Sequence, residues 1–102
     1  MLKNFRTFHD SVAFYRQVAG LRMPTHLKDQ LLRASSSICL NLSEGAGKTA
    51  TRDQRRFFEI AMGSLRETQA ILFLALQPSH PAVAQADRLA ASLYRLLNPK
   101  LS

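Results

Sequence analysis

Gln30-Leu31-Leu32-Arg33-Ala34-Ser35-Ser36-Ser37-Ile38-Cys39-Leu40-Asn41-Leu42-Ser43-Glu44-Gly45 is the stretch that decides the fold. At 100° per residue, Gln30, Arg33, Ser37, Asn41 and Glu44 fall within a sector of roughly 80°, a polar seam on one side of a helix. Leu27, Leu31, Ala34, Ile38 and Leu42 make an apolar seam beside it. The remaining face, Leu32, Ser35, Ser36, Cys39 and Ser43, is small and weakly polar. A helix with so little ordinary solvated surface is expected to touch more than one neighbour. Leu32, Ser36 and Cys39 are therefore candidates for contact with a second copy of the chain, and the reading is an all-helical bundle that self-assembles.

Outward from this stretch, glycine and proline divide the chain into four helices. Phe5, Phe8, Val12, Tyr15 and Ala19 recur at intervals of three and four, predicting a first helix from Thr7 to Gly20. Gly20 and Pro24 end it. Thr25 reads as the N-cap of the second helix, which runs to Gly45 with Gly47 as a further stop signal, about 30 Å at 1.5 Å per residue. Thr51-Arg52-Asp53-Gln54 reads as a capping box opening a third helix that continues to about Gln77. Pro78 and Pro81 interrupt the chain, and Pro81 suits the first turn of a fourth helix with Val83, Ala86, Ala90, Leu93 and Leu97 on one face, closed by Pro99. Four helices with short connections predict an all-α, antiparallel up-and-down four-helix bundle in a single domain over residues 1–102.

Composition narrows the function. Of 102 residues 46% are hydrophobic and 21% charged, a soluble globular balance. No apolar run approaches the roughly 18 residues of a membrane span and no signal segment opens the chain, so a cytoplasmic location without membrane contact is expected. The single Cys39 suits a reducing compartment. Net charge is +7, spread as +3 over residues 1–24, +1 over 25–50, +1 over 51–77 and +2 over 78–102. The charge therefore belongs to the folded surface and not to a tail, and polyanions are the expected partners.

The third helix sets its arginines on one face. Arg52, Arg55, Arg56, Glu59, Gly63 and Arg66 share one face, and Phe57, Ala61, Leu65, Thr68, Leu72 and Ala75 the opposite one. Four arginines along about 21 Å of helix can follow a phosphate backbone, because guanidinium offers paired donors to phosphate oxygens. Lys48 adds to this surface at the helix connection. The competing reading is a solvated face held by local pairs such as Arg55 with Glu59. No aromatic side chain alternates with the arginines, so nucleic-acid contact here is expected to be electrostatic and without sequence preference.

Catalytic chemistry finds no footing. Glu44-Gly45-Ala46-Gly47-Lys48-Thr49 ends like a phosphate-binding loop, but Leu42 stands where the first glycine is needed and a helix, not a strand, precedes it. His9, His26 and His80 lack ligand spacing, and histidines near helix starts serve as caps or surface residues. Cys39 has no neighbouring His or Cys in sequence, and a mid-helix position does not lower a thiol pKa as a helix N-terminus does. Glu44 and Glu67, near Arg33, Asn41 and Ser64, read as parts of a structural hydrogen-bond network with Gln30 and Ser37. Gly63 in mid-helix costs roughly 1 kcal/mol against alanine, which implies that another backbone comes close to it. No enzyme activity, cofactor, metal or small-molecule substrate is expected.

Gln30, Arg33, Ala34, Ser37, Ile38, Asn41, Glu44 and Gly45, followed by Phe57-Phe58-Glu59-Ile60-Ala61-Met62-Gly63-Ser64-Leu65-Arg66-Glu67, closely resemble the two signature helices of the four-helix bundle protein family. That family includes the proteins encoded in 23S rRNA intervening sequences, and the accessory variability determinant of diversity-generating retroelements is its relative. The resemblance covers roughly residues 8–76. It implies an antiparallel four-helix bundle assembling as a homopentamer. For the retroelement relatives it implies a basic surface that binds nucleic acid and a reverse transcriptase. The first helix departs from the family, with Phe8-His9-Asp10 in place of the usual tryptophan or tyrosine. The expectation is thus a non-enzymatic, basic, homo-oligomeric bundle that binds RNA or DNA as an accessory to a reverse transcriptase or RNA-processing machine. The alternative is an interaction scaffold whose basic surface meets an acidic protein.

Overall fold

The computed structural model describes Leu2 and residues 5–101, with only the backbone of Leu101. Four helices form: α1 (Arg6–Ala19), α2 (Thr25–Ala46), α3 (Thr51–Ala75) and α4 (Pro81–Leu97), with a 3₁₀ turn over Pro99–Leu101. They pack in chain order into an antiparallel ring, α1 on α2, α2 on α3, α3 on α4, and α4 back on α1. The α2–α3 interface is the largest and the α1–α4 interface the smallest. The bundle measures 40 × 24 × 21 Å.

The core runs down the centre of this ring. Phe14, Leu31, Ile38, Leu42, Leu65, Leu72 and Leu93 are shut from solvent. Three hydroxyl residues join them at zero or 1% exposure, Ser11, Ser35 and Thr68. Each returns its proton to its own helix: Ser11 Oγ donates to the Phe8 carbonyl at 2.6 Å, Ser35 Oγ to Leu31 at 2.6 Å and Thr68 Oγ1 to Ser64 at 2.9 Å. A small side chain whose polarity is satisfied locally lets a neighbouring helix approach without a desolvation cost.

That device rotates α1 away from the predicted orientation. The inward residues are Thr7, Ser11, Phe14 and Val18, while Phe8, Val12 and Tyr15 lie half-buried on the flank and Ala19 is exposed. An apolar count alone finds the flank, because two of the four core positions carry hydroxyls.

The helix ends differ from expectation as well. Thr25 is the first residue of α2, not its cap; Pro24 holds the cap position and its carbonyl accepts from Lys28 N at 2.9 Å. Thr51 likewise begins α3 behind Ala50 with no side-chain cap, and the capping box does not form. Gln54 turns outward from its own helix, donating from Nε2 to the Gly45 carbonyl at 3.2 Å and tying the start of α3 to the end of α2. α4 has a side-chain cap, from His80, whose Nδ1 accepts from Ala82 N at 3.0 Å with Pro81 following at the first helical position.

Gly45 earns its place by proximity. A Cβ there would sit 2.7 Å from the Phe58 ring and 3.2 Å from the Gln54 carbonyl oxygen. Gly63 is different: apart from its own stretch of helix backbone, no atom lies within 4 Å of where its Cβ would be. The close backbone approach expected at Gly63 is absent within the chain and found at Gly45. Gly20 and Gly47, read as stop signals, keep right-handed φ values of −86° and −81°, so their role is to weaken the helix and not to adopt a left-handed turn.

Candidate nucleic-acid interface

α3 carries its arginines outward because its opposite face, Phe58, Ala61, Leu65, Thr68, Ile71 and Leu72, fills the core. Arg52, Arg55, Arg56 and Arg66 are all exposed. They are not equivalent. Arg55 pairs with Glu59 at 3.8 Å and donates from Nη1 to the carbonyl of Leu97 in the last turn of α4. It bridges α3 to α4, and a cation at that helix C-terminus also suits the helix dipole. Arg56 lies with its guanidinium carbon 5.0 Å from the centroid of the half-buried Phe57 ring, and Lys48 Nζ lies 5.3 Å from the same centroid. One aromatic ring thus gathers two cations at the α2–α3 connection. Arg52 and Arg66 make no ion pair or hydrogen bond among the described residues. Asp53, Glu59 and Glu67 are exposed on the same helix, Asp53 in its first turn, so carboxylates are interspersed with the arginines, while Lys48, Arg52 and Arg56 gather near its start.

The Gly47-Lys48-Thr49 segment lies in the connection after α2, with helix on both sides. It has no strand-to-helix geometry for cradling a triphosphate. Lys48 is instead held by Glu44, Nζ to Oε2 3.4 Å, in a pair whose side chains are 37% and 57% exposed.

The six-residue polar network contracts within one chain. Ser37 Oγ and Ser64 Oγ are 2.9 Å apart across the α2–α3 interface, and Asn41 Nδ2 donates to the Ser37 carbonyl and Oγ at 2.9 and 3.1 Å. These three are half-buried. Gln30, Arg33 and Glu67 are exposed and Glu44 pairs with Lys48, so none of the four joins a buried network. Within the polar sector, Ser37 and Asn41 lean toward α3 while Gln30, Arg33 and Glu44 are exposed.

The small face of α2 is partly covered within the chain. Leu32, Ser36 and Cys39 are half-buried in the single chain. Ser36 bonds back to the Arg33 carbonyl at 3.0 Å, Cys39 Sγ lies 3.6 Å from the Ser35 carbonyl, and the Ser11 hydroxyl of α1 sits beside the Cys39 sulfur. α1 therefore covers part of this face without a second copy. Burial pushes the Cys39 thiol pKa up, offset in part by that hydroxyl.

Among the described residues the large apolar side chains left in solvent are Leu40, Ile60, Phe73, Leu74 and Tyr94, with Phe73 79% and Leu74 73% exposed. Sequence reasoning did not single out Phe73 and Leu74. The signal was present: Ala70-Ile71-Leu72-Phe73-Leu74-Ala75-Leu76 is apolar on every side of the helix, and a two-sided apolar helix needs two-sided cover.

Among the described residues no three His, Cys, Asp or Glu side chains gather as a metal site, and no helix is long and apolar enough to cross a membrane. His9 is engaged with the Leu2 carbonyl at 2.7 Å and His80 is a cap.

This architecture agrees with a family-level match. The sequence model of the family described as 23S rRNA-intervening sequence protein matches residues 5–98, and the chain belongs to that family. The match spans all four helices, beyond the two signature helices that carried the resemblance. No individual curated protein matches the sequence.

Proposed function

We propose that this member of the 23S rRNA-intervening sequence protein family is a non-enzymatic, self-assembling nucleic-acid-binding protein, acting as an accessory to an RNA-processing machine or a reverse transcriptase. The observation that carries the reading is the basic end of α3, where Lys48 and Arg56 converge on Phe57 beside an unpaired Arg52. Arg56 and Lys48, the latter also paired with Glu44, each present charged donors beside this ring, and a phosphate that approaches them gains charge-assisted hydrogen bonds. Arg66, fourteen residues beyond Arg52 and so about 21 Å along the helix, offers a second contact on the same strand. Assembly multiplies the effect, because every added subunit repeats the arginine face and raises the effective concentration along one nucleic acid. A homopentamer is the assembly the family resemblance favours, and the exposed Phe73 and Leu74 supply apolar surface for it.

The test is binding of short random single-stranded RNA and DNA across a salt series. Affinity is expected to fall with a log–log slope of roughly −0.7 to −0.9 per phosphate contact. Arg52→Gln, Arg56→Gln and Arg66→Gln combined are expected to weaken both nucleic acids alike and to flatten the slope by about 2 to 3, with the helical signal unchanged. Arg55 is left intact because of its bond to α4. Undiminished binding by the folded triple variant, or no binding by the parent at low salt, would overturn the proposal.

A further inference from the structure

The smallest helix interface in the ring, α1 against α4, leaves an open groove of about 970 Å³. Its rim carries Arg6 from α1 and Arg88 and Arg95 from α4, against one carboxylate, Asp10. Neither rim nor floor resembles the α3 face. Leu89 and Leu96 form an apolar floor, and among the described residues no aromatic side chain lines the groove.

The three arginines are available. Arg6 faces Asp10 at 3.9 Å with a side chain 93% exposed, a pair that solvent screens almost completely. Arg95 is drawn to the groove side by a long bond to Ser92 Oγ, 3.3 Å. Arg88 has no ion pair or hydrogen bond among the described residues. Gln85, also in the lining, provides an independent pointer: its Oε1 is closed to solvent and has no donor. A buried acceptor left unpaired is costly, and turning it toward an incoming donor breaks no existing bond.

From these features we infer that the α1–α4 groove docks an acidic amphipathic helix of a partner protein. Arg88 and Arg95 stand seven residues apart on one face of α4, about 10.5 Å, the separation of two carboxylates two turns apart on a docked helix. Apolar side chains between those carboxylates reach Leu89 and Leu96, and a polar side chain of the same helix supplies the donor for Gln85. Single-stranded nucleic acid suits the groove less well, since its bases would meet leucine with no ring to stack on. A second copy of this chain, itself at +7, would bring like charge to the arginine rim. The inference stands apart from the reading of the α3 face.

Fluorescence anisotropy with a labelled synthetic helix built from Glu and Leu in an amphipathic order tests it. A Glu and Ser peptide of equal charge and a single-stranded RNA serve as comparison probes. The Glu and Leu helix is expected to bind more tightly than the Glu and Ser peptide. Arg88→Gln with Arg95→Gln should weaken that helix by roughly tenfold or more while RNA binding is retained. Both arginines are exposed, so the fold is expected to persist, and Arg88→Gln alone gives an intermediate loss that does not depend on the double variant. Equal binding of the two peptides, an unchanged affinity in the folded variants, or no peptide binding by the parent would overturn the inference. Loss of RNA binding in place of peptide binding would reassign the groove to nucleic acid and overturn it equally.

Discussion

Gly45 and Gly63 are both helical glycines, and the structure assigns opposite signs to replacing them by alanine. In an open helical site the exchange is worth up to roughly 1 kcal/mol in favour of alanine. Gly63 is such a site, with nothing beyond its own stretch of helix backbone within 4 Å of its missing Cβ. At Gly45 the new carbon lands 2.7 and 2.9 Å from two atoms of the Phe58 ring and 3.2 Å from the backbone oxygen of Gln54. That ring cannot simply swing aside. Phe58 is 6% exposed and has Phe5 behind it, ring centroids 5.9 Å apart. The backbone oxygen is held by α3 itself. Overpacking of this kind costs about 1 to 3 kcal/mol, and the propensity gain is diminished because Gly45 is next to last in α2. Gly45→Ala is therefore expected to destabilise by about 1 to 2 kcal/mol and Gly63→Ala to stabilise by up to about 1. At about 4–8 °C per kcal/mol for a domain of this size, thermal melts at one fixed protein concentration separate the variants plainly. A Gly45→Ala protein that melts at or above the parent temperature would refute the reasoning, since it would mean the Phe58 ring has room that the structure denies it.

Phe73→Asp with Leu74→Asp is expected to reduce the assembly to a smaller species in sedimentation while each subunit stays helical; an unchanged size would remove this patch from the interface. His80→Ala should cost about 1 kcal/mol by leaving Ala82 N without its side-chain acceptor, read as a drop in melting temperature. For Cys39, burial raises the folded pKa, so the thiolate appears in the folded state only at higher pH than in the unfolded chain. Alkylation of the native protein is expected to lag behind a free thiol throughout the mildly alkaline range, and stability to decline as pH rises from the unfolded thiol's pKa through the raised folded one. Reaction as fast as that of an unfolded control would show that the sulfur is open.

Where the helices lie was legible, because Gly20 with Pro24, Gly47, and Pro78 with Pro81 fall at or beside the helix ends. Which way α1 faces was not. Thr7 and Ser11 point into the core, and periodicity counts only apolar residues. The caps misled for a related reason: Thr25, Thr51 and Gln54 have the right chemistry, but the first two fall one residue inside the helix, and tertiary contact redirects Gln54 to the Gly45 carbonyl. The outward direction of the α3 arginines followed from their spacing, whereas the tie from Arg55 to Leu97 crosses 42 residues and no local pattern contains it. The α1–α4 groove was illegible for the same reason, being made by the two helices farthest apart in sequence.

That distance has a kinetic meaning. α2 and α3 are joined by a short connection and share the largest interface, so their hairpin forms with little loop to close. The seam between α1 and α4 closes only when nearly the whole chain has been ordered, and it is the thinnest of the four. It is expected to be the last seam to form and the first to open, with amide exchange fastest along it. A helix lodged there would act as a staple, holding together the one place where the ring is free to reopen.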